Sequence, residues 1–435
     1  MDPLGAIFAM ITLTVFICAG IFALDYMRDK EHKKSFAVFF LLSMLTEILL
    51  CAASNLVTFY MCYELLTLMS MPLVIHDRTG EAKMAALKYM FFSLFGAYFA
   101  LFGIYNLSRF AGSLDFLMGG NVDALTWEQN GTMLMITAMS LIIGFGVKAG
   151  MWPMHSWLTS AHPIAPAPAS AVLSASIVNA GVLGIIRSLW YVLGVTYLKG
   201  SPVQTAFMIL SLITVFMGSL LAYREPVLKK RLAYSTVSQI SYILFGLAVS
   251  FGVYDSDSAI SAYVYSSDAL TGGILHVIAH AFIKAALFLT AGAIIHHTKA
   301  VRVEDMRGIG LKMPFIMICY TIASLGLIGI PPTGGFISKW YLATGALSAD
   351  IKVFSYLGPV ILLISALLTA GYLLKLTIIG FFPGEEYRSV HHEDPDKEQR
   401  PGLLMALPIA TLTLLSVIPG LWPEPIIELV RRIFI

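Results

Sequence analysis

Runs of about 18 or more apolar residues recur along nearly the whole chain, with only short polar stretches between them. A run of that length is a membrane-crossing segment, and a dozen in one chain leaves no room for a soluble domain. Such runs fall near 3–24, 36–53, 55–75, 84–107, 131–162, 168–192, 204–223, 233–253, 270–295, 313–348, 354–380 and 402–420. Composition agrees: 58% of the 435 residues are hydrophobic and 12% are charged, about half the charged share that a soluble domain spends on its wetted surface. The expected fold is all-α and polytopic, with about twelve transmembrane helices. Two of the runs, 131–162 and 313–348, exceed the roughly 20 residues of one straight crossing, and each contains internal proline. Two half-helices crossing once is the simplest account of both.

The loops alternate in charge. Arg28, Lys30, Lys33 and Lys34 fall on one side with Arg78, Lys83, Arg224, Lys229, Lys230, Arg231, Lys299, Arg302, Arg307 and Lys312. Asp115, Asp123 and Glu128 with Arg109, and then Asp255, Asp257 and Asp268, fall on the other. Positive charge gathers on the cytoplasmic side, which places the N terminus outside. The first apolar run has no basic leader and no small-residue cleavage site, so it reads as a retained span. Four cysteines, among them Cys18, Cys51 and Cys62, form no C-x-x-C or Cys/His ligand pattern, so no iron–sulfur or zinc site is expected.

Ionisable residues inside spans are costly and mark ion pathways by default. Glu47 and Glu64 lie in the second and third runs. Glu64 sits mid-span, where it needs a cationic partner or must stay protonated. A neutral glutamate fixing helix contacts is one reading; a relay or gating ion pair with Lys148 is the other. Lys148 precedes "GMWPMHSW", where Pro153 lacks an N–H and frees local backbone groups. Broken helices of this kind line polar cavities and ion sites in transporters. His155 and His162 flank the same break. His276, His280 and Lys284, spaced four apart, share one helix face, and an imidazole can pass a proton between its two nitrogens. Metal binding fits this trio poorly, since it offers no carboxylate or thiolate. The second break, "GLIGIPPTGGFISKWYL", again places a lysine, Lys339, just after the prolines. Lys375 lies in the eleventh run. Gly96, Gly103, Gly144 and Gly146 read as close-packing positions, and Arg109, Arg187 and Lys199 as interface anchors. The stretch 384–402, with His391 and His392, reads as a solvated cytoplasmic loop able to meet a partner, and "EPIIELVRRIFI" as interfacial or the start of a further span.

The motifs "CYELLTLMS", "VKAGMWPMHSWLTSAHPIAPAPASAVLSASIVNAGVLGIIR", "LAYSTVSQISYILFG", "HAFIKAALFLTAGAI" and "GIPPTGGFISKW" together resemble the antiporter-like membrane subunits of respiratory complex I, Mrp-type sodium/proton antiporters and membrane-bound hydrogenases. The resemblance covers roughly residues 2 to 380. It implies two inverted five-helix repeats, each with a discontinuous helix: an N-terminal span and loop over 1–35, a first repeat over 36–192, a second over 204–348, and C-terminal helices with a polar loop over 349–435. It further implies a proton path through Glu64, Lys148, His276, His280, Lys284 and Lys339. Glu47, His155 and Lys375 are weaker candidates on their position in the spans alone, and the resemblance assigns no firm role to Glu47 or Lys375. The family's start would precede "MDPLGAIFAMI" by two helices.

One departure matters. The family's lysine in the helix after the first break is replaced by Asn179, and the histidine that some relatives carry nearby is replaced by Ser174. Neither titrates. The function implied is a proton-translocating subunit, with proton/sodium exchange left open, of a redox-driven pump or antiporter complex in the cell's inner (cytoplasmic) membrane. Its partners would be other membrane subunits, homologous ones included, and lipid, with no nucleic acid. No cofactor is expected in this chain; iron–sulfur clusters or other redox centres would belong to the partners. The alternatives are a stand-alone secondary antiporter and a structural subunit with an interrupted proton path.

Overall fold

The structure is a computed structural model and describes residues 1–251, 268–349, 351–384 and 401–433. Asp255, Asp257, His391 and His392 lie outside the described residues. The helices are α1 (Pro3–Tyr26), α2 (Lys33–Ala52), α3 (Leu56–Val74), α4 (Gly80–Phe110), α5 (Ala124–Lys148), α6 (Ser156–Ile164), α7 (Ala167–Leu193), α8 (Pro202–Arg224), α9 (Leu228–Val249), α10 (Asp268–Thr298), α11 (Pro314–Ile328), α12 (Gly334–Ser348), α13 (Phe354–Phe381), α14 (Leu403–Leu421) and α15 (Glu424–Ile433). Eleven of these are long and apolar enough to cross a membrane. The twelfth expected crossing, 313–348, is the pair α11 and α12.

Local chemistry sets the helix starts. Asp2, Asn55, Thr79, Asp123 and Ser201 each accept a hydrogen bond from the first-turn N–H three residues on, which satisfies donors that a helix leaves unpaired. Proline follows immediately at Pro3 and Pro202, where its missing N–H costs nothing.

The bundle is built around α7, which is buried along its whole length, with α9 and α10 nearly so. The outer helices α2, α3, α13 and α14 turn much of their apolar surface outward, as helices facing lipid do. Close packing relies on small residues. A Cβ on Gly144 would press on the backbone of Ala100, and one on Gly96 on the carbonyl of Gly144, so α4 and α5 approach at backbone distance.

The two breaks differ in build. The second divides its crossing evenly, fifteen residues on each side. In the first, α5 is a 25-residue helix with a kink at Asn130, and α6 has only nine residues. The expectation of two half-helices therefore describes the second break better than the first. The C-terminal α15 is ten residues long, too short to span, and buries Ile427 and Val430 while Arg431 reaches Asp268 at 3.5 Å.

Candidate functional site

At the first break, α5 ends on Lys148, Gly150 follows with φ +79°, and the freed backbone groups find new partners. The indole of Trp157 donates to the Val147 carbonyl at 2.9 Å, Met151 N to Gly146 O at 2.9 Å, and Trp152 N to the Thr214 hydroxyl at 3.0 Å. Lys148 is buried. Its Nζ donates to the Tyr63 carbonyl at 2.8 Å and the Thr67 hydroxyl at 2.7 Å, and lies 3.7 Å from the centre of the Tyr63 ring.

The direct ion pair expected between Lys148 and Glu64 is not formed. Lys148 addresses the α3 face that carries residues 63 and 67, and Glu64 stands about 100° further round that helix. Glu64 is half-buried, and its Oε1 has no hydrogen-bond partner. Glu47, the weaker candidate, is the more enclosed carboxylate: buried on α2, it accepts from Ser176 of α7 at 2.7 Å, and Ser176 also meets Thr12 of α1 at 2.9 Å. Lys148 is in electrostatic reach of both carboxylates.

Ser176 belongs to a π-helical turn, Leu173–Ile177, in α7. Such turns hold an extra residue and often occur at functional positions. The same turn carries Ser174, whose hydroxyl meets Thr236 of α9 at 2.6 Å. Asn179 turns its amide back to the Ala175 carbonyl at 2.8 Å, and its Oδ1 has no partner.

In the second half, Lys284 of α10 is buried and donates to the Leu232 carbonyl at 2.9 Å and to the Ser235 hydroxyl, both on α9. One turn away, both ring nitrogens of His280 lack a protein partner. His276 follows, its ring 6.3 Å from that of His280, with Nδ1 2.8 Å from the Ser338 hydroxyl of α12 and its face on Tyr242 at 5.5 Å. Tyr242 also lies under Lys339, 4.8 Å from its Nζ. Lys339 donates to the Leu327 and Ile328 carbonyls at 2.6 and 3.1 Å, so its charge sits on the C-terminal end of α11, where the helix dipole favours a cation. Lys284, His280, His276 and Lys339 thus form one row across α10 and α12.

Two weaker candidates stand apart. Lys375 is exposed and pairs with exposed Glu304 at 3.2 Å, because the C-terminal end of α13 reaches the loop between α10 and α11. His155 stands just before α6 at partial exposure, 6.4 Å from the Tyr234 ring, and makes no side-chain hydrogen bond to the helix start. Arg187, read as an interface anchor, is instead buried. It grips the Asp2 carboxylate with two nitrogens at 2.5 Å and lies over Phe116 and Tyr191, each at 4.6 Å. Among the described residues no cluster of three or more His, Cys, Asp or Glu could hold a metal ion. Sequence reasoning missed Ser176, Thr236, Ser235 and Tyr242, since a hydroxyl inside a span carries no distinctive signal.

Residues 53–369 match the family described as NADH:quinone oxidoreductase/Mrp antiporter, TM. The chain belongs to this family. It is accordingly an antiporter-like, membrane-embedded subunit. Among its relatives is the NADH-quinone oxidoreductase subunit N of Desulforudis audaxviator, 31% identical over 98% of this chain and 82% of the relative. Hydrogenase-4 component B of Escherichia coli is 28% identical over 100% of this chain and 64% of its own length. A chain of the membrane-bound sulfane sulfur reductase, an archaeal respiratory membrane complex, superposes with a TM-score of 0.83 at 22% identity, over 99% of this chain and 82% of that one. This antiporter-like fold is therefore the one seen here, all-α and polytopic.

Proposed function

We propose that this chain carries protons across the membrane as one subunit of a larger redox-driven or antiporter complex. The path runs through Glu64, Lys148, His276, His280, Lys284 and Lys339, with Glu47 joined to it through Ser176. The observation that carries this reading is the pair of buried lysines, Lys148 and Lys284, each held by one carbonyl and one hydroxyl of a neighbouring helix. Dipoles of this kind can hold a lysine in either protonation state, whereas a tight carboxylate partner would fix it charged. In this reading the loops rich in lysine and arginine face the cytoplasm. The names of its relatives, an NADH-quinone oxidoreductase subunit and a hydrogenase component, support partners that hold the redox centres.

The test is proton and sodium translocation by the reconstituted native complex, wild type against Lys148→Ala at equal assembly. Pumping should fail while electron transfer slows or uncouples. Unchanged pumping would show that Lys148 is outside the coupled path and would leave a structural role for the chain. Transport by the purified chain alone would instead establish a stand-alone antiporter.

A further inference from the structure

A second set of buried bases lies away from the row. Lys229, at the start of α9, is almost fully buried, and its Nζ donates to the Ala165 carbonyl, just past the end of α6, and, at 3.4 Å, to the carbonyl of Pro163 in that helix's last turn. It forms the floor of a cavity of about 190 Å³ that is also lined by Tyr26, Lys30, Asp77, Pro163 and Ala165. Lys30 and Asp77 pair at 3.9 Å and are partly exposed at its mouth, with Tyr26 beneath Lys30.

Behind the carbonyls that Lys229 holds is His162, fully buried, with neither ring nitrogen partnered. Its ring stacks on Phe288 at 4.8 Å, and Phe288 is one turn beyond Lys284 on α10. Lys229 and Lys284 are the two cations in electrostatic reach of His162. An imidazole that is buried and unpartnered, next in the chain to a carbonyl that Lys229 holds and stacked on Phe288 one turn from Lys284, has no structural task beyond its ring contact, and a buried polar group left without a partner calls for an explanation.

We propose that this cavity is the route by which protons reach Lys284 from the face that bears the basic loops, with Lys229 and His162 as carriers. The inference rests on the translocation reading above and adds a path of supply to it. A proton leaves water in the cavity and bonds to neutral Lys229 at Nζ. Lys229 gives a proton to one ring nitrogen of His162 and returns to its neutral form. The imidazolium then releases the proton on its other nitrogen to neutral Lys284, which restores a neutral ring. The ionisable groups facing this route are Tyr26, Lys30 and Asp77 at the mouth, with His296 5.1 Å from Tyr26, and Lys284 at the inner end.

The competing account is that Lys229 merely caps the end of α6. Lys229→Arg separates the two, because arginine keeps the cation and its donors but does not release a proton at working pH. In the reconstituted complex, Lys229→Arg and His162→Phe should assemble normally and lower proton translocation by about tenfold or more. Asp77→Cys, treated with a membrane-impermeant thiol reagent from the basic-loop side, should lose pumping on reaction, a readout that does not depend on altering the buried groups. If Lys148→Ala stops pumping while Lys229→Arg and His162→Phe pump as wild type, the supply route is overturned and the translocation reading stands. If none of the three changes pumping, the reading beneath it falls as well. Full reaction of Asp77→Cys with pumping intact would also overturn the route.

Discussion

The two halves of the molecule hold their central lysines alike and surround them differently. Lys148 rests on a carbonyl and a hydroxyl of α3, and Lys284 on a carbonyl and a hydroxyl of α9. Around Lys148 stand two carboxylates, Glu47 and Glu64. The groups on the Lys284 side are bases, His280, His276 and Lys339 along the row and His162 against Phe288, and the described residues from α8 to α12 place Asp and Glu only at helix ends and in loops. In the first half a proton can pass between base and acid with no change in net charge. In the second every added proton brings uncompensated charge into a medium of low dielectric, held only by dipoles. The halves are therefore suited to different steps: the first to rearranging charge, the second to taking protons up and giving them out.

That contrast can be broken most directly at Lys284. Lys284→Ala removes the central base of a half that has no acid to compensate, and proton translocation by the assembled complex should fall about a hundredfold. Pumping near the wild-type level would mean that the basic row is not the path. A smaller loss, about tenfold, is expected of Glu47→Gln, which keeps volume and a hydrogen-bonding group for Ser176 while removing the acid. An undiminished rate would make Glu64 the sole acid that matters in the first half.

Asp2 offers a stability test at the edge of the first half. Burial pushes its carboxyl up, but the hydrogen bonds and charge of Arg187 outweigh this and hold it below the ordinary aspartate value. Its contribution is therefore present above the unfolded value, about 3.9, and is lost as pH falls through the lowered folded value. Since Asp2 keeps a third of its side chain exposed, Asp2→Asn should cost about 1–2 kcal/mol at neutral pH. The gap between the thermal midpoints of variant and wild type should close in strong acid. The smallest effect is expected at Lys375. Its pair with Glu304 is exposed at both ends, so Lys375→Ala should change stability by less than about 0.5 kcal/mol and leave pumping intact; a pumping defect would extend the row onto α13.

The spans were legible because lipid favours long apolar helices, and the breaks because proline and glycine occur together inside runs too long for one crossing; proline alone is no such mark, since Pro72, Pro359 and Pro408 sit inside continuous helices. The row from His276 to Lys284 followed from helical spacing alone. What the sequence concealed is what holds each charge. The partners of Lys148, Lys284 and Lys339 include main-chain carbonyls, which every residue possesses and no side-chain pattern announces. Arg187 meets Asp2 across 185 positions, a pairing that only the packed fold creates. Lys229 counted as a loop charge in the sidedness argument, yet the turn after α6 encloses it.

The π-helical turn in α7 joins the halves mechanically. Ser176 is tied to Glu47 and Ser174 to Thr236, so one short stretch of one helix is keyed to both sides at once. Taking a single residue out of it would turn everything beyond by about 100°, and one of the two ties would be lost. The helix works like a splined shaft: neither half can be re-registered against it without disengaging the other.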